Sequence, residues 1–247
     1  MKRLLLLATP ALMLTACGGD GNNAIAPVET AAPVAAAPPP AGRQCVDVVE
    51  RTAEGGFRMG NPNAPVKLIE YGSRTCPHCA EFAETAMAPL RSEFIASGKV
   101  SYEYRDFLRN GADLAASLLG ACGGPDTFFP MLEAMFANQP ATMQRLQALP
   151  ESFGQQLANT PVTGQAAAFA EAGGYLDFVK QRGIPDAQAR QCIANQSAID
   201  ALSNASETAM RERNVQGTPA FFINGRLFNG PGTWEAVSAA LRSAGAR

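Results

Sequence analysis

Hydrophobic and polar positions along this chain follow two different periods. Val66 to Tyr71 is a short apolar run with β-branched members that follows the turn-forming residues 61–65, a pattern typical of a strand. Residues 99–107 alternate between apolar and polar side chains, which predicts a second strand. Between the two, apolar residues recur at helical spacing and Gly98 stands at the expected C-cap: Phe82, Met87, Leu90, Phe94 and Ile95. The unit strand, helix, strand predicts a parallel pairing.

A long helical block and a hairpin complete the pattern. From Ala112 to about Asn214 the chain is rich in Ala, Leu, Met and Gln, with short Gly and Pro interruptions that divide it into several helices. Thr218-Pro219 opens an apolar strand, and Asn224-Gly225, a strong hairpin signal, joins it to a partner strand. Trp234 to Leu241 predicts a C-terminal helix.

The first residues are typical of an export signal. Two cations precede an apolar run over Leu4–Leu14, which is too short to span a bilayer. The run ends in a segment that resembles a bacterial lipobox, so we expect residues 1–16 to be removed and Cys17 to be acylated. The alternative is an ordinary signal cleaved at nearly the same place. Gly18 resembles the residues that permit sorting away from the inner membrane, which favours a periplasm-facing anchor in the outer membrane.

The segment that follows contains almost no large apolar side chain. Residues 17–44 are mostly Gly, Asn, Ala and Pro, and cannot bury enough surface to offset the entropy of ordering. We therefore predict a tether, stiffened by Pro38-Pro39-Pro40, that holds the folded part away from the membrane. The folded domain is expected from Cys45 to residue 247.

Composition narrows the choice of partners. The chain has 20 basic and 22 acidic residues, a net charge of -2 and 47% hydrophobic residues. A packed globular protein has this composition, and no basic footprint for phosphate backbones is present. We expect no nucleic-acid partner.

The six cysteines divide into groups. Apart from the predicted lipid site, Cys76 and Cys79 are two residues apart and form one natural pair. Cys45, Cys122 and Cys192 then compete for a second disulfide. We favour Cys122 with Cys192, because both fall in the helical block on either side of a long segment that a crosslink can clamp, at a gain of about 4 kcal/mol. Cys45 is then the odd thiol, either free or joined to another molecule.

The sequence Cys76-Pro77-His78-Cys79 stands where the first strand meets its helix. Free N–H groups and the positive end of the dipole at a helix start favour a thiolate at Cys76, while Cys79 lies one turn in and is covered. Pro77 suits the first turn because its missing N–H costs nothing there. His78, the chain's one histidine, is a candidate to stabilise the Cys76 thiolate further.

Two further positions are candidates for the same site. Glu70 lies in the apolar strand, six residues before Cys76. It is either a solvated carboxylate or a buried one with a raised pKa, which would exchange a proton with Cys79. Thr218-Pro219, which opens a buried strand, suits a cis peptide bond, although an X-Pro bond is trans by default.

The order of these elements resembles a thioredoxin fold with a helical domain inserted between the second and third core strands, the arrangement of the DsbA-like family. The core would cover about 57–110 and 215–247, and the insertion about 111–214. The Pro77-His78 dipeptide is the DsbA type, Glu70 matches the family's buried acid, and residues 136–139 resemble a segment of its helical domain.

The resemblance implies a protein thiol:disulfide oxidoreductase that uses no metal or organic cofactor. Cys76 would be the exposed nucleophile and Cys79 its buried partner, with Thr218 and the cis-proline Pro219 facing them and contacting the substrate. The Cys122–Cys192 pairing matches a second disulfide of some DsbA-like subgroups. The implied clients are exported proteins with free or paired cysteines, and the implied re-oxidising partner is a DsbB-type membrane protein.

Alternative functions remain open from the sequence. Thr218 departs from the valine of strong oxidases and is usual in isomerase and reductase relatives, which would be kept reduced by an envelope reductant. A metal-binding lipoprotein using Cys76, His78 and Cys79 is a second alternative, although one Cys-X-X-Cys supplies only half of a usual zinc site. A client-binding adaptor with incidental cysteines is the third.

Overall fold

The computed structural model describes residues 30–247. Within them a six-stranded mixed sheet has the order β1-β2-β4-β3-β5-β6. Its strands are β1 (Val49–Arg51), β2 (Phe57–Met59), β3 (Val66–Gly72), β4 (Val100–Asp106), β5 (Ala220–Ile223) and β6 (Arg226–Leu227). β3 and β4 pair in parallel, as predicted, and the other neighbours pair antiparallel.

Ten helices accompany this sheet in the described part of the chain. They are α1 (Pro77–Pro89), α2 (Gly111–Gly120), α3 (Pro125–Ala137), α4 (Gln139–Gln147), α5 (Phe153–Leu157), α6 (Val162–Ala172), α7 (Tyr175–Lys180), α8 (Asp186–Ile193), α9 (Gln196–Arg213) and α10 (Trp234–Ser243). A π-helical turn over Leu90–Ile95 continues α1. Because α2 to α9 all lie between β4 and β5, the predicted fold class, an α/β core with a helical insertion, is confirmed.

The sheet shares its hydrophobic core with α3 of the insertion, whereas the other insertion helices pack mainly in a second cluster. Leu68 of β3 stands opposite Tyr102 of β4, and both side chains are buried. The insertion contributes through α3, whose Phe128 ring stacks on Phe57 of β2 with centroids 3.8 Å apart. α3 thus joins the insertion to the sheet through buried aromatic side chains, which fixes the position of the helices beside the strands.

The β1–β2 hairpin was not predicted. Each of its strands has only three residues, and Glu50 and Arg58 face each other across it. So short a strand gives no readable alternation, and its place is decided by the pairing of β2 with β4. The predicted hairpin at Asn224-Gly225 is present, with positive φ at both residues.

The distal half of the predicted tether contacts the domain. The N–H groups of Ala31, Val34 and Ala37 donate to the carbonyls of Ser243, Gly245 and Gly98, at 2.9, 3.0 and 3.1 Å. Gly98 and Gly245 have positive φ, and a side chain at either would collide with this segment. Residues 31–37 of the predicted tether are therefore held to the domain by backbone hydrogen bonds, although they have few apolar side chains.

The predicted signal and Cys17 lie outside the described residues. Among residues 30–247, no helix combines the length and the apolar character needed to cross a bilayer.

Candidate active site

Cys76 occupies the N-cap of α1, four residues after β3 ends at Gly72. Its backbone is extended, Pro77 follows as the first helical residue, and its carbonyl accepts from the N–H groups of Cys79 and Ala80, each at 3.2 Å. Both thiols of the motif are free, so the structure holds the dithiol form. The strand therefore delivers Cys76 directly to the open end of a helix.

The surroundings of Cys76 favour its thiolate. A hydrogen bond from the Cys79 thiol lowers the pKa of Cys76 from 9.0 to about 5, with further help from the main-chain N–H groups of Cys79 and His78, while burial opposes the change. Only 3% of the surface of Cys76 is exposed, whereas the family resemblance implied an exposed nucleophile. The reason is that residue 218 lies over it, with Thr218 O 3.2 Å from the Cys76 sulfur.

Cys79 has the opposite character. It is completely buried within the core, and this burial raises its pKa well above 9.0. The two sulfurs of one motif therefore have pKa values pushed in opposite directions by their environments. A stable thiolate at one position and a stable thiol at the other is the asymmetry that directed thiol–disulfide exchange requires.

His78 stabilises the Cys76 thiolate through its main-chain N–H. The imidazole is 77% exposed and its Nδ1 lies 3.4 Å from Glu81 Oε2, on the solvent side of α1. The N–H of His78 is the group that contributes to the low pKa of Cys76. Stabilisation of the thiolate by the imidazolium stays a prediction.

The sequence left open whether Glu70 is solvated or buried, and the structure buries it. The residue is 1% exposed, its Oε2 accepts from the Tyr102 hydroxyl at 2.7 Å, and its Oε1 has no hydrogen-bond partner among the described residues. Burial raises the pKa of Glu70 to about 8. The carboxyl group is therefore protonated at neutral pH, and it interacts electrostatically with both Cys76 and Cys79.

The Thr218-Pro219 bond is cis. Thr218 places its carbonyl beside the Cys76 sulfur, and its hydroxyl is buried without a hydrogen-bond partner in residues 30–247. Pro219 lies at one side of a groove of about 660 Å³ that begins beside the motif. The groove is lined by His78, Glu81, Phe82, Thr85, Pro219, Gly232, Thr233, Trp234 and Glu235. Its surface is mainly apolar, and its carboxylates stand at positions 81 and 235.

The loop between β3 and α1 is held by polar contacts that the sequence did not indicate. The buried Arg74 guanidinium donates from Nε to Asp106 Oδ1 at 2.7 Å, and the Ser73 hydroxyl donates to Asp113 at 2.9 Å. The side-chain amide of Gln139 donates to the carbonyls of Arg74 and Cys76. The polar residues that follow β3 were the available signal for these contacts. Their partners, however, lie 32 to 65 positions further along the sequence.

The remaining cysteines lie outside this loop. Cys122, just after α2, and Cys192 of α8 form a disulfide with a Cα–Cα distance of 5.8 Å, across a sequence separation of 70. It joins two helices within the insertion. Cys45 is a buried free thiol in the 3₁₀ turn before β1.

The site combines three features: a Cys-X-X-Cys at the first turn of the helix after a core strand, a cis-proline opposite it, and a helical insertion beside it. Together they define a thioredoxin-fold protein of the DsbA-like class. The sequence profile of the family described as Thioredoxin matches residues 52–243. The chain belongs to this family, which confirms the predicted resemblance.

Individual relatives agree with this assignment. A Rickettsia felis protein, provisionally named protein-disulfide oxidoreductase, is 26% identical over 180 residues, which are 73% of this chain and 57% of that protein. The chain thus spans less than two thirds of the length of that relative. The crystal structure of protein-disulfide isomerase from Novosphingobium aromaticivorans is 28% identical, with a TM-score of 0.72 over 75% of this chain and 95% of that one. Wolbachia pipientis alpha-DsbA1, 19% identical, shares the fold at a TM-score of 0.61 over 76% and 90%.

Proposed function

We propose that this chain is a cell-envelope thiol:disulfide oxidoreductase that introduces disulfides into exported proteins by exchange at Cys76 and Cys79. The observation that carries the proposal is the pair of opposed thiols, because the low pKa of Cys76 stabilises the reduced protein. A stabilised reduced form makes the corresponding disulfide a stronger oxidant. The relatives named for protein-disulfide chemistry support the same reaction class.

The reaction begins with the Cys76–Cys79 disulfide. A client thiolate attacks the Cys76 sulfur, forming a mixed disulfide and leaving the electron pair on Cys79. Because the Cys79 thiolate is unfavourable in its buried position, it takes up a proton, and protonated Glu70, a buried acid that interacts electrostatically with Cys79, would supply it.

A second client thiolate then attacks the client sulfur of the mixed disulfide. The client disulfide forms and Cys76 departs as a thiolate, which its low pKa makes a good leaving group. The client is oxidised and the enzyme is left as the dithiol. Its re-oxidation would be carried out by a DsbB-type membrane partner.

The apolar groove beside the motif is the proposed site for the client chain. Pro219 and Trp234 offer apolar surface on the same groove as His78 of the motif. An unfolded exported segment exposes the apolar side chains that such a groove accepts. Thr218 and Pro219 would contact the client backbone at the point of exchange.

We also propose that Cys17 is lipidated and that the protein faces the periplasm. The contacts of residues 31–37 lie near the start of β4, whereas Cys76 follows the opposite end of the parallel strand β3. An anchored chain would therefore present its thiols away from the membrane. Incorporation of labelled fatty acid into the unaltered chain, and its loss in Cys17→Ser, is the expected result.

The reduction potential of the Cys76/Cys79 couple tests the direction of electron flow. The full chain with Cys17→Ala and Cys45→Ala is equilibrated in glutathione buffers, and alkylated products are separated by mass; alanine is chosen at position 45 because that thiol is buried. A potential well above the roughly −270 mV of thioredoxin is expected. A value near or below that figure would contradict the oxidase assignment.

An isomerase or reductase is the second candidate function. It is favoured by Thr218 before the cis-proline and by the name of the Novosphingobium structure. The two functions separate with one client, supplied either fully reduced or with scrambled disulfides. An oxidase restores the reduced client faster, whereas an isomerase acts mainly on the scrambled one.

A further inference from the structure

One side chain of the helical insertion holds the backbone on both sides of Thr75. Gln139 is the first residue of α4 and is 6% exposed. Its Nε2 lies 3.0 Å from the Arg74 carbonyl oxygen and 3.0 Å from that of Cys76. The amide thus bridges the insertion to the stretch of chain that carries the reacting cysteine.

The Cys76 carbonyl also accepts hydrogen bonds from the first turn of α1. It is the acceptor for the first hydrogen bonds of α1, from the N–H groups of Cys79 and Ala80. The direction of this carbonyl sets how the N-cap residue joins the helix. Since the Cys76 sulfur is attached to the same residue, that direction also decides how closely the sulfur approaches the free N–H groups of the first turn.

The other contacts of the loop act on its earlier residues. Asp113 accepts from Ser73 and from the N–H of Thr75, and Asp106 accepts from the Arg74 side chain. Among residues 30–247, Gln139 is the one side chain that donates to the Cys76 carbonyl. A primary amide offers two N–H donors in one plane, which suits two carbonyls that lie side by side.

We propose that Gln139 is a positioning residue for the redox pair: its amide fixes the Cys76 carbonyl, and so holds the Cys76 sulfur where the N–H groups of α1 stabilise its thiolate. This inference rests on the proposed function, in which Cys76 is the reacting thiol. It assigns the helical insertion a direct influence on the redox chemistry of the core.

The test compares Gln139→Met, which keeps the length of the side chain and removes both donors, with Gln147→Met on the exposed side of the same helix. The pKa of Cys76 is measured in the full chain from thiolate absorbance, with Cys76→Ala as the blank. From a starting pKa of about 5, we expect Gln139→Met to raise it by about one unit. Alkylation of Cys76 at pH 5 should then slow about fivefold, because the thiolate fraction falls from about one half to about one tenth.

The redox couple should respond in the same variant. A tenfold loss of thiolate stabilisation corresponds to a reduction potential lower by about 30 mV. Gln147→Met should leave both the pKa and the potential unchanged. A Gln139→Met protein that melts at a lower temperature but keeps the pKa and the potential would overturn the inference and leave Gln139 a purely structural role.

A second variant covers the case in which Gln139→Met does not fold. Gln139→Asn keeps the amide on a side chain one methylene shorter, and should raise the pKa of Cys76 in the same direction by a smaller amount. An unchanged pKa in this folded variant would equally overturn the inference. Failure of the proposed function is recognised separately, because the unaltered chain would then have no thiol that titrates well below 9.0.

Discussion

The stability of the reduced chain should rise with pH because of the Cys76 thiolate. In the folded protein the pKa of Cys76 falls from 9.0 to about 5. A group whose pKa is lowered by folding stabilises the fold fully above its unfolded pKa, and the contribution is lost as pH falls through the folded pKa. The thiolate's contribution to stability is therefore lost as the pH falls from about 9 to about 5.

The expected size follows from the same two values. About four pKa units correspond to about 5 kcal/mol at roughly 1.4 kcal/mol per unit. Although Cys76 is itself covered, it lies next to His78, which lines the open groove, and water there screens the charge; we therefore expect roughly 2–3 kcal/mol between pH 5 and pH 9. Replacing the thiol by Cys76→Ala removes this contribution.

The measurement is urea unfolding of both chains in excess reductant at pH 5, 7 and 9. Glu70 also titrates in this range, with a pKa near 8, but it is present in both proteins and its own titration largely cancels in the difference. The unaltered chain should gain stability relative to Cys76→Ala as pH rises. Parallel stability curves for the two proteins would refute the assignment of a stabilised thiolate to Cys76.

Three further predictions concern Glu70, Arg74 and the Cys122–Cys192 disulfide. Glu70→Gln should abolish the change in client-oxidation rate near pH 8, seen by stopped-flow measurements from pH 6 to 9; a persisting change would exclude Glu70 as its source. Arg74→Leu leaves Asp106 without its buried partner and should cost about 3–5 kcal/mol in urea unfolding, and a loss under 1 kcal/mol would contradict it. Replacing Cys122 and Cys192 by Ala should cost about 2–4 kcal/mol yet leave the potential of the redox couple unchanged.

Local patterns were sufficient for the main elements of the fold. The strand ending at Gly72, the hairpin at Asn224-Gly225 and the helix from Trp234 follow from apolar periodicity and turn residues within a few positions of each other. Local patterns do not predict the three-residue strands β1 and β2, nor the docking of residues 31–37. Both depend on hydrogen bonds to distant backbone, which no local pattern encodes.

The sequence by itself determined that two cysteines stand one helical turn apart at the junction of a strand and a helix, since spacing and secondary structure are local properties. Tertiary structure decided the rest of the site. The burial of Glu70 depends on Tyr102, 32 positions away, and the hold on the Cys76 carbonyl depends on Gln139, 63 positions away. The first contact arises only when β3 pairs with β4, and the second only when the insertion packs against the loop before α1, so the residue types alone cannot indicate which of them will meet.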